Sequence, residues 1–140
     1  MILISSITII TLCIAGLFHF YWAFGGKIGL DSAIPTINGK AIINPGKLLT
    51  VIVGLIILVF ACIAYTLSFK DLTLLPYSQQ IVYSGWLLSG IFFIRSIGDF
   101  HAVGLFKKIK STKFSEFDTK YFIPLTLFWS ITFAGLTYQV

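Results

Sequence analysis

From Leu48 to Phe69 the chain reads LLTVIVGLIILVFACIAYTLSF, and no charged side chain interrupts it. About 20 apolar residues in a helix span the ~30 Å hydrocarbon core of a bilayer. That solvent offers backbone N–H and C=O groups no partner, so such a run crosses as a helix or not at all. Three more apolar runs follow the same logic: Met1–Phe24, Ile81–Phe106 and Tyr121–Val140. The first has no basic residue ahead of its apolar part, unlike a secretory leader, and reads as a retained helix. Helices are predicted over about residues 2–24, 47–69, 81–103 and 119–139 of a single domain. The fold class is all-α, an integral membrane four-helix bundle with a capping loop between helices one and two.

Charged residues make up 11% of the chain, about half the ~25% of a soluble domain. The net charge of +5 does not indicate nucleic-acid binding, because the lysines sit between apolar runs, where they meet lipid headgroups. Cys13 and Cys62 fall inside apolar runs and read as small buried hydrophobes.

Four spans place loops one and three on one membrane face. Those loops hold Lys27, Lys40, Lys47, Lys107, Lys108, Lys110, Lys113 and Lys120, whereas the opposite face holds only Lys70. The positive-inside rule assigns the lysine-bearing face to the cytoplasm.

The first loop has signals of its own. Asn38-Gly39 between short apolar arms is a type I′ hairpin signal. Asn44-Pro45 resembles a helix cap followed by a first-turn proline. The loop is therefore expected to fold rather than hang slack, and long ordered loops are often functional. Gly85 and Ser89 form a small-x-x-x-small pair that permits close helix approach. Ser115-x-x-Asp118 resembles a capping box opening the last helix, with Pro124 in its first or second turn.

The costly residues lie in the third run. A charge at mid-bilayer costs at least ~2.5–3.5 kcal/mol, yet this run carries Arg95, Asp99 and His101. On a continuous helix Arg95 and Asp99, four apart, share a face and pair. The pair then fixes helix packing, or Arg95 captures a phosphate or carboxylate. His19 and Trp22 close the first helix, and Asp118 opens the fourth as a cap or as a cross-bundle partner for Arg95 or His19. Connectivity brings all six to the lysine-rich face. Gly16-Leu17-Phe18-His19 and Gly98-Asp99-Phe100-His101 share G-x-F-H, either the trace of a duplicated helical hairpin or a match that an aromatic-rich chain reaches easily by chance. No metal-ligand spacing is present, and nothing sets the two histidines as opposed haem ligands, so no metal or cofactor is expected.

The set H-x-x-W-A-x-G-G (His19–Gly26), Pro35, Asn44-Pro45-Gly46, R-x-x-G-D-F (Arg95–Phe100) and G-x-F-K (Gly104–Lys107) is completed by Phe114, Asp118, Tyr121, Pro124 and Leu125. In this order it resembles the small bacterial four-helix membrane proteins of domain-of-unknown-function family 3995. The resemblance covers nearly the whole chain and implies one four-helix membrane domain in a bacterial cytoplasmic membrane, with its signature on one face. It implies no activity.

The leading functional expectation is a pocket at the lysine-rich face, roofed by loops one and three. It would bind a small polar or amphipathic ligand or a lipid headgroup. In it Arg95 anchors an anionic group, Asp99 orients Arg95, and His19 and Trp22 line the wall, with His101 and Asp118 nearby. One alternative is a membrane enzyme acting on a lipid or isoprenoid, with His19 or Asp99 as acid/base, although no nucleophile–base motif identifies catalytic residues. Another is a structural or accessory subunit. Membrane lipids are the expected surroundings, with a second copy or another membrane protein as further partners.

Overall fold

The structure, a computed structural model, describes all 140 residues. Its long helices are α1 (Ile2–Ala23), α3 (Lys47–Phe69), α4 (Ser78–Ile97) and α5 (Lys113–Tyr138). All four are long and apolar enough to cross a membrane. A single helical turn, α2 (Leu30–Ala33), and a two-stranded hairpin, β1 (Thr36–Ile37) with β2 (Lys40–Ala41), lie between α1 and α3.

The burial pattern suits a lipid solvent. Large apolar side chains such as Leu3, Leu48, Leu87 and Ile131 point outward, while Ser5, Thr8, Ser96, Ser130 and Thr132 are buried between helices. With lipid as apolar as the core, small residues and interhelical hydrogen bonds hold such a bundle. α1 packs mainly on α3, and α4 mainly on α5. In the first pair Gly16 and Gly54 face each other, and a Cβ on Gly54 would sit 3.1 Å from the Gly16 carbonyl oxygen and 3.1 Å from His19 Cβ. In the second, the Ser89 hydroxyl donates to the Ser130 carbonyl at 2.9 Å and the Ser130 hydroxyl to the Ser89 carbonyl at 2.8 Å. Gly85 lies one turn before Ser89 and meets Thr137, so the small-residue pair does bring helices together. Between the pairs Phe92 stacks on Phe133 and meets Phe60 and Trp129 edge to face. Trp129 Nε1 donates to Thr11 Oγ1 at 2.9 Å, tying α5 to α1. Cys62 is exposed on the outer face, not buried as expected, because the α1–α3 seam runs along the small-residue side of α3.

Four boundaries differ from expectation, the first being the start of α4 at Ser78 rather than near residue 81. α4 ends at Ile97, not near residue 103, because Gly98 adopts φ 89°, which leaves the right-handed helix. α5 starts at Lys113, not near residue 119, and its cap is Thr112, whose side chain accepts from Ser115 N at 3.1 Å; the expected Ser115-x-x-Asp118 box lies inside the helix. Pro124 therefore falls in the third turn. A proline there cannot donate to the carbonyl four residues back. The helix answers with a π-helical turn, Asp118–Phe122, in which Ile123 N donates to the Asp118 carbonyl. The first loop makes its expected hairpin, with Asn38 and Gly39 both at positive φ. The cap of α3 is Gly46, one residue beyond Pro45, so the expected Asn44-Pro45 start is displaced by two residues.

Candidate functional site

The unwound end of α4 decides the site. Beyond Ile97 the chain folds back on itself: Leu105 N donates to the Ser96 carbonyl at 2.9 Å and Asp99 N to the Val103 carbonyl at 3.2 Å. Gly98 and Gly104 touch at this fold, and a Cβ on either would overlap backbone atoms. Asp99 is off the helix and cannot stack on Arg95. Instead its Oδ1 accepts from the backbone N–H groups of His101, Ala102 and Val103 at 2.8–2.9 Å. Partial burial pushes the Asp99 carboxyl up, but these three N–H groups, with help from nearby His101, outweigh it and hold the group below its usual range. The expected Arg95–Asp99 pair is thus replaced by a loop cap.

Arg95 pairs with Asp118 across the α4–α5 seam, Nη2 to Oδ1, at 2.8 Å. Asp118 is fully buried, and its Oδ2 accepts from Gly104 N at 2.9 Å and from Lys107 Nζ at 3.1 Å. Lys107, only 4% exposed, also donates to the Gly104 carbonyl at 3.2 Å and to Thr119 Oγ1 at 2.6 Å. All three ammonium protons are therefore used inside the protein. Lys107 was expected at the headgroups with the other lysines of its loop; the signal for its buried role was its place in the G-x-F-K motif. Two cations face one carboxylate, which leaves a single positive charge over. Arg95 Nη1 is enclosed and has no hydrogen-bond partner, and the side chain as a whole is 32% exposed. Arg95 lies in the last turn of α4, where the helix dipole favours a cation. It is near the span's end rather than at mid-membrane.

His19 and Trp22 stand elsewhere. They line a cleft of about 350 Å³ beneath the first loop, together with Leu30, Ile34, Asn44 and Thr50 among others. None of Arg95, Asp99, His101 or Asp118 lines it. The six expected residues therefore do not form one pocket: Arg95 and Asp118 meet, His19 and Trp22 meet, and Asp99 folds the loop. His101 is exposed on that loop, its carbonyl accepting from Lys108 N and Ile109 N at 3.0 Å. Asn44 and Thr50 were not expected at a site, and only the folding of the first loop brings them to His19. The two loops touch through α2 and α5, where Asp31 pairs with Lys113. The hydrogen bond from Lys113 lowers the Asp31 carboxyl. No group of three or more His, Cys, Asp and Glu side chains converges anywhere in the chain.

Fold and site define a protein of four helices long and apolar enough to cross a membrane, with a buried ion cluster at one end of its bundle. The chain belongs to the family described as protein of unknown function (DUF3995), whose profile matches residues 12–133. No curated protein and no solved structure matches it.

Proposed function

We propose that the protein resides in the bacterial cytoplasmic membrane with its lysine-bearing loops in the cytoplasm, and that Arg95 there binds the anionic group of a lipid headgroup or small amphipathic ligand. The observation that carries this reading is the surplus charge of the Arg95–Asp118–Lys107 cluster, of which only Arg95 reaches the surface. An uncompensated charge at the edge of a low-dielectric bundle attracts a counter-ion, and guanidinium suits phosphate or carboxylate. The other carboxylates do not answer it: Asp31 is held by Lys113, Asp71 by Thr73 and Asp99 by its own loop, and Glu116 forms no ion pair with Arg95 or Lys107. Asp118 takes the orienting role expected of Asp99, and the third loop also carries the exposed His101, Lys108 and Lys110.

Native mass spectrometry from nanodiscs of phosphatidylglycerol or phosphatidylcholine tests this. The expected result is a retained phosphatidylglycerol adduct on wild type that Arg95→Gln loses. Equal retention by both proteins, or no adduct on either, sinks it. A structural-subunit reading is favoured by a different observation, the internal saturation of Lys107 and Asp118. A swap of Arg95→Asp with Asp118→Arg separates the two: a stable swapped protein that still supports its partner's assembly favours structure. With Asp99 engaged in folding its loop, no observation favours the enzymatic alternative.

A further inference from the structure

We infer that the cleft beneath the first loop is a second binding site, independent of Arg95, and that it takes the hydroxyl head of a neutral amphiphile. None of the eleven residues lining the cleft is Asp, Glu, Lys or Arg, so a charged ligand would lose its hydration there without an ion-pair partner. At about 350 Å³ it falls at the small end of the ~300–1,000 Å³ usual for small-molecule sites.

The polar atoms specify the head group. His19 Nδ1 lies 2.8 Å from the Ala15 carbonyl oxygen. A carbonyl oxygen only accepts, so Nδ1 carries the proton, and in the neutral ring Nε2 holds the lone pair. Nε2 has no protein partner and is not enclosed by the fold. It calls for a donor. The protein's other donors in the cleft are mostly spent: Trp22 Nε1 on the Ile28 carbonyl at 2.9 Å, and the Thr50 hydroxyl on the Gly46 carbonyl at 3.1 Å. The Asn44 amide, at the mouth beside Pro45, remains free. A hydroxyl matches both, donating to His19 Nε2 and accepting from Asn44. A ketone or ester offers His19 nothing. Leu30, Ile34, Leu49 and Val53 then meet the first carbons of an apolar tail. The site's position is built in, because Gly16 and Gly54 bring α1 against α3 beside His19, and the Trp22–Ile28 bond pulls the loop's start over the same face.

The probe is a diazirine-bearing 1-dodecanol, compared with its methyl ether, on the full chain in phosphatidylcholine nanodiscs, with labelled peptides mapped by mass spectrometry. The alcohol is expected to label the cleft peptides about fivefold or more above the ether, the worth of one buried hydrogen bond. His19→Phe is expected to remove that excess, His19→Gln to keep part of it through its amide oxygen, and Arg95→Gln to leave it intact. Asn44→Ala, at an exposed position that does not threaten folding, is expected to reduce it severalfold and serves if His19→Phe fails to fold. Equal labelling by alcohol and ether overturns the proposal, as does an excess that survives both His19→Phe and Asn44→Ala. Loss of the excess in a folded Arg95→Gln protein would overturn the independence of the two sites.

Discussion

The two halves of this bundle are both helical hairpins whose connecting loops carry lysines to the same end, yet they are held by opposite means. The first hairpin, α1 with α3, meets at Gly16 and Gly54, and its loop is organised by local turn chemistry at Asn38-Gly39 and by neutral hydrogen bonds such as Trp22 to Ile28. The second, α4 with α5, is closed by buried charge: Asp118 gathers Arg95, Lys107 and the backbone of Gly104 into one cluster. The shared G-x-F-H letters sharpen the contrast. Gly16–His19 is uninterrupted helix, whereas Gly98 breaks a helix and His101 sits in the loop beyond it. Similar letters at similar places in the topology have produced a neutral cleft in one hairpin and an ionic lock in the other. Neutral packing leaves room for a guest, while a lock of charges is closed to one except at the edge of Arg95.

The largest test of that difference is Asp118→Ala. It strands two buried or half-buried cations and is expected to cost about 3–5 kcal/mol. It should appear as a large fall in the detergent thermal-unfolding midpoint, while His19→Ala in the other hairpin should move the midpoint little. Equal shifts would erase the contrast. Next comes Gly98→Ala, which forces a side chain into the Val103 backbone and strains a φ of 89°. Strain of this kind costs roughly 1–3 kcal/mol, and hydrogen exchange should show faster exchange confined to residues 98–107. Gly39→Ala at the first loop's turn has open space around its Cβ position and only the φ strain, so its effect should be smaller.

A third test is acid. Because its folded carboxyl is held below the ordinary value of 3.8, Asp99 adds stability that is present above that value and lost as pH falls through the folded one. Protection of the His101, Ala102 and Val103 amides should persist at neutral pH and fall below about pH 4, the ordinary carboxylate range; Asp99→Asn should remove the pH dependence. The smallest expected effect is Lys113→Ala. Asp31 and Lys113 are both exposed, so the pair that joins the two loops should change the unfolding midpoint within its error, and any shift should vanish in high salt.

Much of this molecule can be read from the order of its residues. A long uncharged run has one solution in lipid, so the spans of α1 and α3 are legible to within a residue or so. The Asn38-Gly39 turn is equally local, because its two positive φ values are what Asn and Gly tolerate. The placing of costly polar residues at the lysine-rich end follows from connectivity alone. The partners of those residues do not. Arg95 and Asp99 are neighbours only if the helix continues, and one glycine at positive φ decides that it does not. Apart from closing the G-x-F-K motif, Lys107 resembles its neighbours Lys108 and Lys110, and only the fold of residues 98–107 against α5 buries it. Asp118 accepts from groups 23, 14 and 11 residues away, so no short-range pattern could announce its role. Periodicity and solvent set the helices because each residue answers to its own surroundings. Ion pairs and clefts join residues far apart in the chain, and their partners exist only once the helices have packed.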